Sequence, residues 1–173
     1  MLSPIQIAIL TSSDRASAGV YEDKSGPALR TLVSATLQAD VVDMKVVPDD
    51  RTLLATQLRE WADSGAIDLI LVTGGTGFAP TDVTPEATRD VIEKEAPGLA
   101  EAMRAASLQI TPHAMLSRAI CGIRGRTLIV TLPGSPRGAK ENFQVILPAI
   151  PHAIALLRED PDSETHHPKP IKV

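Results

Sequence analysis

DLILVTGGTGFAPTDVTPEAT, residues 68–88, changes character twice. Its first part, residues 68–73, is almost continuously apolar and has no helical period. That is the pattern of a strand buried on both faces. Glycine and threonine then take over at Thr73-Gly74-Gly75-Thr76-Gly77. Thr84 is a good N-cap, Pro85 follows it, and Glu86 falls in the first turn, where the helix dipole favours negative charge. A helix is therefore expected from Thr84 to Glu95. Strand, glycine-rich loop and helix in that order form the repeating unit of a parallel sheet.

The same unit recurs on both sides. Residues 5–11, IQIAILT, read as a first buried strand, and residues 41–47, VVDMKVV, as a second. Between them Ser25 is expected to cap a helix with Pro27 in its first turn and Leu29, Leu32, Val33 and Leu37 on its apolar face. Pro48 ends the second strand. Asp49 or Asp50 caps the next helix, which carries a stripe of Leu53, Leu54, Leu58 and Trp61 and stops at Gly65. Ala96-Pro97-Gly98 breaks the chain before a helix over residues 99–107. Residues 115–131 read as two strands joined by a turn at residues 122–125. A helical region over residues 139–158 is expected to break near Leu147, because Pro148 and Pro151 lie inside it. The expectation is an α/β protein of three layers, α/β/α, with a mostly parallel sheet and one antiparallel strand near the C-terminal end. Residues 1–158 would form one domain and residues 159–173 a flexible polar tail holding His166 and His167.

Composition narrows the functions such a sheet can have. Of 173 residues, 43% are hydrophobic and 22% charged, which suits a globular domain with a real core. The formal charge is −4 and no basic block stands out. Aromatics make up only 2%, scattered at Tyr21, Trp61, Phe78 and Phe143. Neither the electrostatic footprint nor the stacking surface of a nucleic-acid binder is present. No apolar run reaches membrane-spanning length, and the first ten residues have no basic leader, so a cytoplasmic setting is expected. Cys121 has no cysteine partner and falls in an expected strand, which makes it a core residue rather than a nucleophile. His113 and His152 have no metal-ligand spacing.

Ligands of parallel sheets bind outside the carboxyl ends of the strands. Four loops are expected at that rim: residues 12–26, the Pro48-Asp49 pair, residues 74–84, and residues 133–138. Glycines let the backbone approach an anion and present N–H groups, and threonine hydroxyls add donors, so Thr73, Gly74, Gly75, Thr76 and Gly77 suit a phosphate. The spacing matches neither the P-loop nor GxGxxG. Asp82 reads either as a capping or turn residue or as a carboxylate holding Mg²⁺ against phosphates, and Asp49 either as an N-cap or as a second carboxylate on that metal. In Pro133-Gly134-Ser135, Ser135 is either part of a rigid turn or a donor to ligand. Asp14, Arg15, Asp23, Lys24 and Ser25 form a charged cluster in the first loop. Arg118, Arg124 and Arg126 read as an anion patch or a solvated edge.

Four pieces carry a resemblance: TSSDRASAGVYEDKSGP, VVPDD, LVTGGTGFAPTDVTPEAT and LIVTLPGSPRGAKENFQVILPAIPHAIALL. In this order, and reaching to about Leu157, they resemble the MogA/MoaB family of molybdopterin adenylyltransferases, related to the domains of gephyrin-type scaffolds. With no partner domain in the chain, the resemblance is to the free-standing form. It implies transfer of AMP from ATP to the terminal phosphate of molybdopterin, with release of pyrophosphate and a need for Mg²⁺. It also implies a homotrimer and hand-over of the product to a molybdenum-insertion protein. Asp49 and Asp82 match the family's acidic positions and would anchor Mg²⁺ or orient the nucleophile. Ser12, Ser13 and Asp14 would contact nucleotide, and Pro133, Gly134 and Ser135 the pterin side. The alternative within the family is a non-catalytic molybdopterin-binding or scaffold protein.

Overall fold

A computed structural model of the chain describes residues 3–161. Six strands make one sheet: β1 (Ile5–Ser12), β2 (Ala39–Val47), β3 (Leu69–Thr73), β4 (Lys94–Glu95), β5 (Cys121–Arg124) and β6 (Thr127–Leu132). Their order is β2-β1-β3-β6-β5-β4. β1 pairs in parallel with β2 and β3, and β3 with β6, whereas β5 runs antiparallel to both β6 and β4. The mostly parallel sheet and its antiparallel strand are as expected.

Among the described residues, seven helices cover it: α1 (Asp14–Ser17), α2 (Ser25–Thr36), α3 (Arg51–Asp63), α4 (Thr84–Arg89), α5 (Pro97–Leu108), α6 (Pro136–Ile146) and α7 (Ile150–Leu157). Alternate residues along each strand feed opposite cores, because strand side chains have a period of two. Ile7, Ile9, Leu69, Leu71, Leu128 and Val130 pack with Leu29, Val33, Met103, Phe143 and Ile150 of α2, α5, α6 and α7. Ala8, Leu10, Ile70, Val72 and Ile129 pack with Leu54, Leu58, Trp61 and Ala87 of α3 and α4. All five residues of β3 are buried. Each Leu, Ile or Val shielded there contributes roughly 1.5–3 kcal/mol, which is why this strand reads as continuously apolar.

The structure corrects several local expectations. α4 stops at Arg89 instead of reaching Glu95. The next residues are drawn to the open edge of β5, where the Glu93 N–H donates to the Ile123 carbonyl (2.8 Å) and the Ala96 N–H to the Cys121 carbonyl (2.8 Å). Tertiary pairing, together with the β-branched Val91 and Ile92, outweighs local helical periodicity. The hairpin is tighter and later than expected. Arg124 pairs with Thr127, so the turn is Gly125-Arg126, and residues 112–116 form a 3₁₀ turn rather than a strand. Ser25 does not cap α2. Asp23 does the capping, accepting from the N–H groups of Ser25 (2.9 Å) and Gly26 (3.2 Å). Leu53 is 49% exposed and lies off the buried stripe of α3. The helical break at Leu147 is present as a 3₁₀ turn, Leu147–Ala149. Most of the expected tail, including His166 and His167, lies outside the described residues. Among the described residues no helix is long and apolar enough to cross a membrane.

Candidate active site

The loops that follow β1, β2, β3 and β6 converge at one rim, beside the point where the chain changes direction in the sheet between β1 and β3. Such a switch point opens a crevice. Here the crevice is braced by side chain to backbone hydrogen bonds between loops. Thr73 Oγ1 donates to the Pro133 carbonyl (2.7 Å), Ser25 Oγ to the Gly134 carbonyl (2.6 Å) and Thr84 Oγ1 to the Gly74 carbonyl (2.7 Å). Thr73 is fully buried, so its hydroxyl joins two loops and does not face a ligand.

Two glycines make this convergence possible. Gly74 has φ +100° and Gly75 has φ +63°. A Cβ on Gly74 would run into the Ser12 carbonyl, and one on Gly75 into Thr84 Oγ1, with Ser12 Oγ and Asp49 Oδ1 close behind. The backbone must therefore be bare for the β3 loop to lie against the β1 and β2 loops. Among the described residues, the N–H groups of Gly75, Thr76, Gly77 and Phe78 meet no acceptor, nor does the Thr76 hydroxyl have a partner. Consecutive free N–H groups in a glycine-rich turn form a concavity for an anion.

Two carboxylates flank this loop. Asp50, not Asp49, caps α3 by accepting from the Leu53 N–H (2.9 Å), which leaves Asp49 for other partners. Asp49 Oδ1 accepts from Ser12 Oγ (2.6 Å) and Oδ2 from the Asp14 N–H (3.1 Å), while Asp14 Oδ1 accepts from the Asp49 N–H (2.9 Å). Ser13 caps α1 through the Ala16 N–H (3.2 Å). On the other side, Asp82 Oδ2 accepts from the Ala79 N–H (2.8 Å) and stands against Gly77. Neither Asp49 nor Asp82 forms an ion pair among the described residues.

Asp82 opens into a cavity of about 530 Å³. Gly75, Thr76 and Gly77 form one wall and Pro133, Gly134 and Ser135 another. Ser135 also caps α6 by accepting from the Gly138 N–H (3.1 Å), so both readings of its hydroxyl remain compatible with the geometry. A third wall was not foreseen from the sequence. Arg104 and Ser107 of α5, His113, and Glu141 and Asn142 of α6 line it. Arg104 and Ser107 are spaced i, i+3 on one helical face, but a solvated face shows the same pattern. Ser12, Ser13, Asp14 and Asp49 do not line this cavity; they lie beyond Gly75. The expected site residues thus fall into two groups that share the glycine loop as a partition.

No group of three or more His, Cys, Asp or Glu side chains able to hold a metal occurs among the described residues. Mg²⁺ needs no such group, since it keeps several waters and is held by one or two carboxylates together with substrate phosphates. Asp82 Oδ1 has no hydrogen-bond partner among the described residues and is available for that role. The three arginines near the hairpin are not an open anion patch. Arg124 pairs with Asp63 (2.7 Å), Arg126 donates to the Leu157 and Arg158 carbonyls at the end of α7, and Arg118 is bound to the glycine loop.

Residues 8–152 match the family described as "Probable molybdopterin binding domain". The chain belongs to this family. Family members close in sequence include a molybdopterin adenylyltransferase of Helicobacter pylori, 43% identical over 157 residues, covering 90% of this chain and 89% of that protein. The molybdopterin adenylyltransferase of Escherichia coli is 39% identical, with 95% and 90% covered. The molybdenum cofactor synthesis protein cinnamon of Drosophila melanogaster is 45% identical over 92% of this chain, but the match is only 26% of that protein. The chain thus spans about a quarter of such longer relatives and about nine tenths of the adenylyltransferases. Among solved structures, the molybdopterin biosynthesis enzyme MoaB of Thermus thermophilus superposes with TM-score 0.85 at 46% identity, covering 91% of this chain and 98% of that one. The three-layer fold, with β5 antiparallel in an otherwise parallel sheet, is the fold of that family.

Proposed function

We propose that this protein is a molybdopterin adenylyltransferase of molybdenum cofactor biosynthesis, transferring AMP from ATP to the terminal phosphate of molybdopterin and releasing pyrophosphate. The observation that carries the reading is the pair Asp49 and Asp82, two carboxylates that form no ion pair among the described residues, on either side of a loop whose N–H groups meet no acceptor among them. The relatives named adenylyltransferase match this chain over about nine tenths of their length, which supports the same activity.

The reaction brings two anionic phosphates together, so positioning and charge compensation do most of the catalysis. The N–H groups of Gly75, Thr76 and Gly77 and the Thr76 hydroxyl would receive phosphate oxygens. Asp82, with Asp49 across the loop, would hold Mg²⁺, whose chemistry there is to offset the negative charge of the meeting phosphates. Asp49 is held by Ser12 and Asp14, so its direction is fixed before substrate arrives. The cavity walls from Pro133 to Ser135 and from α5 and α6 would take the pterin half, and the Ser12 to Asp14 side the nucleotide half. A homotrimer, a cytoplasmic setting and hand-over to a molybdenum-insertion protein belong to the same reading, and sedimentation tests the first.

Pyrophosphate release with ATP and molybdopterin is the direct test. Release that needs both substrates and stops when EDTA removes Mg²⁺ is expected. Tight molybdopterin binding with no release would make the protein a holder or scaffold, and release unaffected by EDTA would remove the metal from the mechanism.

A further inference from the structure

Arg118 lies in the segment before β5, and its backbone N–H and two of its guanidinium nitrogens are turned to one loop. Its backbone N–H donates to the Thr76 carbonyl (2.9 Å). Nε donates to the Gly77 carbonyl (2.7 Å) and Nη2 to the Asp82 carbonyl (2.6 Å), while Nη1 bonds the Glu86 carboxylate at the start of α4. All three guanidinium nitrogens thus bond to the protein, and Arg118 does not line the cavity. Burial works to raise the Glu86 carboxyl, but the Arg118 hydrogen bond, the backbone N–H of Glu86 itself and the charges of Arg118 and Arg89 together outweigh it and hold Glu86 below its ordinary range. Glu86 Oε2 is buried and has no hydrogen-bond partner among the described residues, so Arg118 is the side chain that holds this carboxylate.

The arrangement has a directional consequence. In a trans peptide the carbonyl of one residue and the N–H of the next point opposite ways. Turning the Thr76 and Gly77 carbonyls toward Arg118 therefore turns the Gly77 and Phe78 N–H groups away from it. Those two N–H groups are among the ones without an acceptor. The hold on the Asp82 carbonyl likewise fixes the short turn in which Asp82 Oδ2 accepts from Ala79, with the Asp82 N–H returned to the Ala79 carbonyl (2.9 Å). Only a planar fork of N–H donors reaches three such acceptors at once; a lysine ammonium on its flexible stem does not.

We propose that Arg118 is a positioning residue of the adenylyl-transfer site, setting the direction of the loop N–H donors and the stance of Asp82 without touching substrate. The proposal rests on the reading that this loop and Asp82 take part in the reaction. The test uses the full chain carrying Arg118→Lys, assayed for pyrophosphate release with ATP and molybdopterin and, separately, for amide hydrogen exchange. A fall in kcat of about 100-fold, with KM for ATP changed much less, is expected from a misplaced reacting geometry. Faster exchange confined to the amides of Ala79 and Asp82 is expected alongside an unchanged melting temperature. An unchanged kcat, a rise in KM alone, or faster exchange across the whole chain overturns the proposal. If the lysine variant does not fold, Glu86→Gln loosens one arm of the clamp and should give the same kcat loss at smaller amplitude; an unaltered kcat there overturns it too. Absence of pyrophosphate release by the parent protein would sink the functional reading, whereas the exchange result judges the clamp independently.

Discussion

The two rims of the sheet treat aspartate in opposite ways. At the rim where the strands begin, Asp68 is closed by its partners. Oδ1 accepts from Arg158 Nε (2.8 Å), and Oδ2 accepts from Arg158 Nη2 (2.6 Å) and the Gln6 N–H (2.7 Å). Both side chains of this pair are 17% exposed. At the rim where the strands end, Asp49 and Asp82 receive only neutral donors, from Ser12, Asp14 and Ala79. The first arrangement completes a fold by tying the end of α7 to the start of β1. The second leaves two half-buried carboxylates with no ion-pair partner among the described residues, beside the loop whose N–H groups meet no acceptor.

Asp→Asn exchanges at the two rims should therefore separate rate from stability. Asp82→Asn is expected to lower adenylyl transfer by roughly 1000-fold while molybdopterin still binds, since one preorganised electrostatic group typically supplies that much. Its unfolding free energy should stay within about 1 kcal/mol of the parent. Full turnover in this variant would remove Asp82 from the reaction and erase the contrast between the rims. A second experiment asks what does stabilise the site rim. Gly74→Ala places a methyl group against the Ser12 carbonyl at a φ of +100°. A loss of about 3 kcal/mol in urea unfolding is expected from backbone strain and crowding. Wild-type stability would mean that the loops at this rim are not packed against one another.

How much of this the sequence revealed depended on how local each cause was. The buried strands were legible because their apolar runs need no partner to be recognised. The site rim was legible through Gly74-Gly75, Asp82 and Pro133-Gly134, since glycines and prolines between a strand and a helix mark a loop on sight. The clamp by Arg118 was not legible, because it acts across 32 to 42 residues of chain and an arginine beside a hairpin looks like any solvated charge. The third cavity wall failed for a similar reason: Arg104, Ser107 and Glu141 belong to helices whose polar faces are expected to meet water. β4 was misread as helix because its main cause is the distant open edge of β5.

The smallest effect belongs to the closed rim, and it carries a pH signature. Burial acts to raise the Asp68 carboxyl, but the Arg158 hydrogen bond, the Gln6 N–H and the charges of Arg158 and Arg126 outweigh it, holding Asp68 below its ordinary range. A carboxyl depressed in the folded state adds stability in full above its unfolded value, near pH ~4. That stability disappears as pH falls through the lower folded value. Asp68→Asn lacks the contribution at every pH. The parent should therefore exceed the variant by about 2 kcal/mol at neutral pH, the scale of hydrogen bonds to a charged group, and the gap should close below pH ~4. Adenylyl transfer should be untouched, because Asp68 sits at the far end of β3 from the glycine loop. Urea unfolding at pH 7 and pH 3 reads both halves of this expectation. A gap no narrower at pH 3 than at pH 7 would show that the aspartate acts through packing rather than charge, and the contrast between the rims would then rest on Asp49 and Asp82 alone.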